Sequence, residues 1–158
     1  MTRFVFLDVD GPLNNYETSL ETHTNLVNSY VSPEAVWEVC GGIIYLICPW
    51  MLNNLYDVLR AYDDVKLIGI SSWFNGGNVD CIGSHMFTRV TGLKLDGVID
   101  YTGGGSYRFT CAEEYAVKHG VDKYVIIDDL RYDHEKLVKI HREGLSKEKA
   151  DEAIRMMK

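Results

Sequence analysis

Three short, nearly continuous apolar runs punctuate the chain. They are Arg3–Leu7, Val65–Ile70 and Lys123–Ile127, and each ends in polar residues: Asp8, Ser71-Ser72 and Asp128-Asp129. Apolar runs without alternation read as strands buried on both faces of a parallel sheet. Between them, apolar positions recur at helical spacing. Leu52, Leu55, Leu59 and Tyr62 form a stripe after Pro49. Phe109, Ala112 and Ala116 form a second, which Gly120 can close, and Ala150, Ala153, Ile154 and Met157 a third, which Ser146 can cap. Ser32-Pro33-Glu34 reads as a helix start, so the stretch between Asn14 and Pro49 is predicted to hold one short helix.

This order of strands and helices predicts a doubly wound, Rossmann-like α/β fold, a parallel sheet with flanking helices. Ligands in such sheets bind at the carboxyl ends of the strands. That rule gathers Asp8, Asp10, Ser71, Asp128 and Asp129, although about 120 residues separate the first from the last. In Asp8-Val9-Asp10-Gly11 two carboxylates two residues apart point the same way on an extended strand end, and Gly11 permits a sharp turn beside a ligand. Each polar strand end is unremarkable alone, as turn-forming or helix-capping chemistry. Their succession, each after an apolar strand, points to a site.

Composition narrows the options. The 158 residues suit about one domain, with 46% apolar and 25% charged residues, an ordinary globular balance. Sixteen basic against 23 acidic residues give a net charge of −7 and a pI near 5.1. The overall count therefore supplies no basic face for long nucleic acid, while leaving a local patch and small anionic substrates open. Cys40, Cys48, Cys81 and Cys111 are scattered without metal-site spacing and read as buried thiols of a reducing compartment. No apolar run reaches the ~18 residues of a membrane span, and the N-terminal apolar stretch is shorter than a signal peptide's. The expectation is a cytoplasmic protein without a membrane partner.

Phe6-Leu7-Asp8-Val9-Asp10-Gly11-Pro12-Leu13-Asn14 resembles the first motif of the haloacid dehalogenase (HAD) superfamily. Ile70-Ser71 resembles its second motif, and Ile126-Ile127-Asp128-Asp129 its fourth, the acidic pair. Ser71-Ser72-Trp73, Arg108 and Glu143-Gly144-Leu145-Ser146 are further similar to a small subgroup, the HAD domains associated with RNA-repair proteins. The resemblance implies a single HAD-like domain over 1–158, with small insertions near 14–48 and 74–107 and only a small cap or lid. It implies Asp8 as nucleophile and Asp10 as general acid and base. Mg²⁺ is expected at Asp8, Asp128, Asp129 and the backbone carbonyl of Asp10. Ser71, Ser72 and Arg108 are expected to bind substrate phosphate. Arg108 stands where most of the superfamily has lysine, with Lys118 and Lys123 as competing positions. Asn14 and Trp73 are expected in the substrate pocket, with Asn15, Tyr16, Asn75 and Asn78 as further polar candidates.

The chemistry of these residue types agrees. A phosphomonoester needs a nucleophile, a proton donor for its leaving alcohol and positive charge over the phosphoryl oxygens. The leading expectation is a Mg²⁺-dependent phosphomonoesterase acting on a small phosphorylated substrate, a nucleotide or a nucleic-acid terminal phosphate. The alternatives are a phosphatase of small metabolites or sugar phosphates and a catalytically silent binding module. Gly103-Gly104-Gly105 lacks the lysine and hydroxyl residue of a P-loop, and the histidines show no ligand spacing.

Overall fold

A computed structural model describes residues 1–14, 36–74, 78–100 and 104–158. The elements run β1 (Arg3–Leu7), β2 (Val36–Cys40), β3 (Ile43–Ile47), α1 (Pro49–Arg60), β4 (Val65–Gly69), a single 3-10 turn (Ser72–Phe74), α2 (Ile82–Thr91), β5 (Gly97–Val98), α3 (Tyr107–Lys118), β6 (Lys123–Asp128), β7 (Leu137–Lys139) and α4 (Lys147–Met156). Five strands form a parallel sheet in the order β5-β4-β1-β6-β7. β1 pairs with β4 on one side and β6 on the other, with Leu7 opposite both Gly69 and Ile127. The chain winds outward in opposite directions from β1, which makes its carboxyl end the switch point of the sheet.

The apolar runs are continuous because both faces of the sheet are covered. Val5, Leu7, Val125 and Ile127 face a core shared with α1, α2 and α4, through Leu55, Phe87 and Ala150 among others. Phe4, Phe6, Tyr124 and Ile126 face the other way, onto Phe109, Ala112 and Ala116 of α3. Successive strand residues thus serve opposite cores, as a period of two requires. Local signals operate as read. Pro49 opens α1, the Ser146 hydroxyl accepts from the Lys149 N–H at 3.2 Å, and Gly120 follows the C-cap of α3. The four cysteines form no disulfide.

The stretch before Pro49 departs from expectation. Residues 32–34 lie outside the described residues, and from Val36 the chain is strand rather than helix. β2 and β3 pair antiparallel, with Cys40 opposite Ile43 across Gly41-Gly42. Both glycines take positive φ, 57° and 78°. Two consecutive left-handed residues make the tight turn whose twist suits a hairpin, a conformation that side-chain-bearing residues rarely adopt. Gly-Gly between two β-rich runs was therefore the sequence signal for this element. The hairpin is tied to the first loop by the Cys48 N–H donating to the Leu13 carbonyl at 2.8 Å. Glu38 also forms a two-bond pair with Arg89 of α2 at 2.6 and 3.0 Å. Within the stretch 74–107, α2 enters the core and β5 extends the main sheet.

Phe6 is fully buried at the centre of the sheet, with its ring edge-on to Phe4, Tyr115 and Tyr124 at 5.6–5.9 Å. Phe6→Ala leaves a cavity that a close-packed sheet cannot refill. Urea denaturation is expected to give a loss of ~3–5 kcal/mol.

Candidate active site

The end of β1 passes directly into Asp8, which is 5% exposed. Its N–H donates to the Ile127 carbonyl at 3.0 Å, and the Ile70 N–H donates to Leu7 at 3.0 Å. The ladder therefore continues just past the strand and fixes where Asp8 emerges between β4 and β6. Asp128, the last residue of β6, is fully buried, and Asp129 is exposed. Oxygen atoms of Asp8, Asp128 and Asp129 lie within 4.8 Å of one another.

Arg108, at the start of α3, answers this concentration of negative charge. Its Nη1 stands 2.9 Å from Asp128 Oδ2 and 3.3 Å from Asp8 Oδ1. The other Asp128 oxygen accepts from the Leu130 N–H at 2.9 Å. Arg108 is thus the basic residue at the acidic pair. Lys118 sits exposed at the far end of α3, and the Lys123 amine donates to the Lys158 carbonyl. One guanidinium does not offset the burial. The Asp8 carboxyl is held well above its ordinary range by loss of solvent and by Asp128, against the pull of Arg108. Burial also raises Asp128, against Arg108 and the Leu130 N–H. A site with three carboxylates and one permanent cation suits a further hard cation. The all-oxygen donor set of Asp8, Asp128 and Asp129 fits Mg²⁺, which favours a few carboxylates.

The side chain of Asp10 lies apart from this triad and is exposed. Its Oδ1 accepts from Trp73 Nε1 at 3.0 Å and from Asn14 Nδ2 at 3.1 Å. Backbone bonds set the shape of this loop. Val9 accepts from the Leu13 N–H at 3.0 Å, the Asn14 carbonyl accepts from the Gly11 N–H at 2.7 Å, and Gly11 has a φ of 107°. A Cβ at Gly11 would sit 2.6 Å from the Asp129 carboxylate, so any larger residue displaces that acid.

Asn14, expected in the substrate pocket, is instead 4% exposed and spends its amide on Asp10 and on the Leu46 carbonyl of β3 at 2.9 Å. It braces the loop and the hairpin. Asn15, Tyr16 and Asn75 lie outside the described residues. Asn78 is exposed and turns the chain into α2, its Oδ1 accepting from the Asp80 N–H at 2.9 Å. Ser71 is buried, and its hydroxyl oxygen accepts from the Trp73 N–H at 3.2 Å. Ser72 is exposed at the start of the 3-10 turn. Asp133 caps no helix; it is exposed and pairs with Lys139 at 3.4 Å.

A cavity of about 780 Å³ opens beside Asp10. Its walls are Ile43, Ile44 and Tyr45 of the hairpin, Trp73, and Cys81 and Ile82 at the start of α2, with Ser72 at the edge. Tyr45 and Trp73 meet edge to face at 4.9 Å. The hairpin wall and the bond from Trp73 to Asp10 were not read from the sequence. The tryptophan was weighed as a wall, but a hydrogen bond spanning 63 residues leaves no local pattern.

Residues 4–150 match the family model described as the HAD domain in Swiss Army Knife RNA repair proteins. The chain belongs to this family. No curated protein and no solved structure matches it significantly. Membership makes this HAD domain part of a phosphatase-type hydrolase family and agrees with the Rossmann-like sheet. Among the described residues, no helix of the HAD domain is long and apolar enough to cross a membrane.

The raised Asp8 and Asp128 carboxyls carry a signed consequence for the metal-free domain. The folded state holds their protons more tightly than the unfolded chain. Their contribution to stability is therefore full below the ordinary value of 3.8 and is lost as pH rises through the folded value. Asp8→Asn removes the cost of the ionised form. Thermal melts in chelator at pH 7.5 are expected to show the variant melting above the parent, with the difference fading as pH falls toward 4.

Proposed function

We propose that this domain is a Mg²⁺-dependent phosphomonoesterase acting through an aspartyl-phosphate on a nucleotide or nucleic-acid terminal phosphate. The observation that carries the reading is the acidic triad at the switch point of the sheet, with Arg108 bridging Asp8 and Asp128. One domain with small insertions near 14–48 and 74–107 and a cytoplasmic location are part of the same proposal.

Asp8 attacks phosphorus with a carboxylate oxygen, and the bond to the leaving alcohol breaks as Asp10 gives that oxygen a proton. Both donors to Asp10 fall on Oδ1, so Oδ2 is the oxygen that carries and releases the proton. Water, deprotonated by Asp10, then cleaves the aspartyl-phosphate. Asp8, Asp128, Asp129 and the Asp10 carbonyl would hold a Mg²⁺, which would supply positive charge to Asp8 and to the phosphoryl group. Arg108 adds a fixed cation beside the phosphoryl group. The Ser71 oxygen is already an acceptor for the Trp73 N–H, which leaves its proton to donate to phosphate. Ser72, at the cavity edge, serves the same group from the exposed side.

The large, mainly apolar cavity next to the proposed proton donor supports a bulky aromatic leaving group such as a nucleoside. A sugar phosphate would leave its hydroxyls facing Ile43, Ile44 and Ile82. The family description, with its reference to RNA repair, favours the nucleic-acid reading over the metabolite one.

Two outcomes test the chemistry. With nucleoside monophosphates, Asp8→Asn is expected to abolish turnover. Asp10→Asn should slow it ~10²–10⁴-fold, with a smaller loss on nitrophenyl phosphate, whose leaving group needs little protonation. Equal losses of Asp10→Asn on both esters would remove it from this role. In calorimetry, Asp128→Asn should weaken Mg²⁺ binding more than Asp129→Asn, for which a loss of ~10–100-fold is expected. Binding by the parent should release protons, because Asp8 must ionise.

A further inference from the structure

The catalytic loop has a second neighbour of opposite character. On the β6–β7 side of β1, a pocket of about 380 Å³ is lined by Gly11, Asp129, Arg131, Lys139, His141 and Arg142. Two arginines, a lysine and a histidine thus converge beside the loop of a chain whose net charge is −7. The apolar cavity lies on the β4 side, reached through Asp10, Ser72 and Trp73. Neither Asp8, Ser71 nor Arg108 lines the basic pocket, so the groups proposed for the scissile phosphate are not its walls.

The pocket is built on fixed backbone. Ile140 is 2% exposed, and its N–H donates to the Asp128 carbonyl at 2.8 Å. The Leu145 N–H donates to the Pro12 carbonyl at 2.8 Å, and the Gly144 N–H to the His141 carbonyl at 3.0 Å. The segment bearing Lys139, His141 and Arg142 is therefore hydrogen-bonded at both ends to the loops that carry Asp128 and Gly11. Two acids are seen beside it: Asp129 belongs to the acidic triad, and Asp133 pairs with Lys139 from a fully exposed position, while Arg142 also has an interaction of its own. That exposed pair is weak in water and yields to a stronger anion.

We propose that this pocket binds a second phosphate of the substrate, the phosphodiester adjoining the terminal phosphate of a nucleic-acid strand. Guanidinium groups grip phosphate oxygens in pairs, and lysine adds a point charge. A strand crossing the catalytic loop would set its terminal phosphate at Asp8 and its next phosphate on Arg131, Lys139 and Arg142. The inference rests on the phosphatase reading and narrows its substrate to a strand end. The phosphate of a nucleoside bisphosphate shares this chemistry, and the substrates in the test separate the two.

The experiment compares a nucleoside monophosphate, a nucleoside 3′,5′-bisphosphate and a terminally phosphorylated dinucleotide and tetranucleotide. These are assayed on the parent, Arg131→Ala and Arg142→Ala with Mg²⁺. The same proteins carrying Asp8→Asn are titrated with the fluorescently labelled tetranucleotide over a range of salt. The parent is expected to prefer the dinucleotide to the monophosphate by about tenfold in kcat/KM. Each arginine variant should lose at least fivefold more on the dinucleotide than on the monophosphate, and its binding should show a shallower salt dependence, by about 0.7 in log–log slope per phosphate contact. A bisphosphate preferred to the dinucleotide would overturn the strand assignment. Equal losses on all substrates, or unaltered tetranucleotide binding by both variants, would overturn the pocket while leaving the phosphatase reading intact. Arginine-dependent tetranucleotide binding with no ester hydrolysed by the parent would retain the pocket and reject the phosphatase.

Discussion

The structure around the site depends on one constraint: two carboxylates, Asp8 and Asp128, are buried at the ends of neighbouring strands with one guanidinium between them. Desolvation of paired charges is repaid only where geometry and further hydrogen bonds are good. Here the Leu130 N–H and Arg108 occupy both oxygens of Asp128, and the pair still titrates upward. The fold therefore holds a charge imbalance that a bound cation would relieve. Because α3 begins at Tyr107, Arg108 in its first turn meets both acids.

The rest of the architecture keeps those ends in place. Parallel pairing on both sides of β1 fixes the relative depth of Leu7, Gly69 and Ile127 to one register. Alternating core faces make a slip costly, because every side chain would change environment. Helices on both faces complete the clamp. The polar residues sit where the ladder runs out, on short loops held by backbone bonds, and this combination places chemistry on a rigid base.

Much of this was legible in the sequence because its causes are local. Apolar runs marked β1, β4 and β6, Pro49 and Ser146 marked helix starts, and Asp8, Ser71 and Asp128 fell at strand ends by rule. Arg108 was expected from the family resemblance, and the structure supplies its contacts with Asp8 and Asp128. The hairpin was not read because the helix-start pattern at Ser32-Pro33-Glu34 competed with the weaker Gly41-Gly42 signal. Asn14 was assigned to the pocket because an amide's partner is set by tertiary packing, here the Leu46 carbonyl. The basic pocket was hidden by averaging: Arg131, Lys139 and Arg142 vanish in a net charge of −7, and only folding places them on one wall.

The hairpin is held in two unlike ways. Near its base, Asn14 and Leu13 bind it through buried amides, bonds that dissolved ions do not reach. Farther out, Glu38 and Arg89 join it to α2 across open solvent, at 38% and 64% exposure. A pair so exposed contributes little to stability. The hairpin is thus a cantilever, with its root in the core and its tip around Gly41 and Gly42 in solvent. The cavity wall it supplies is therefore set by the buried root and not by the exposed ion pair.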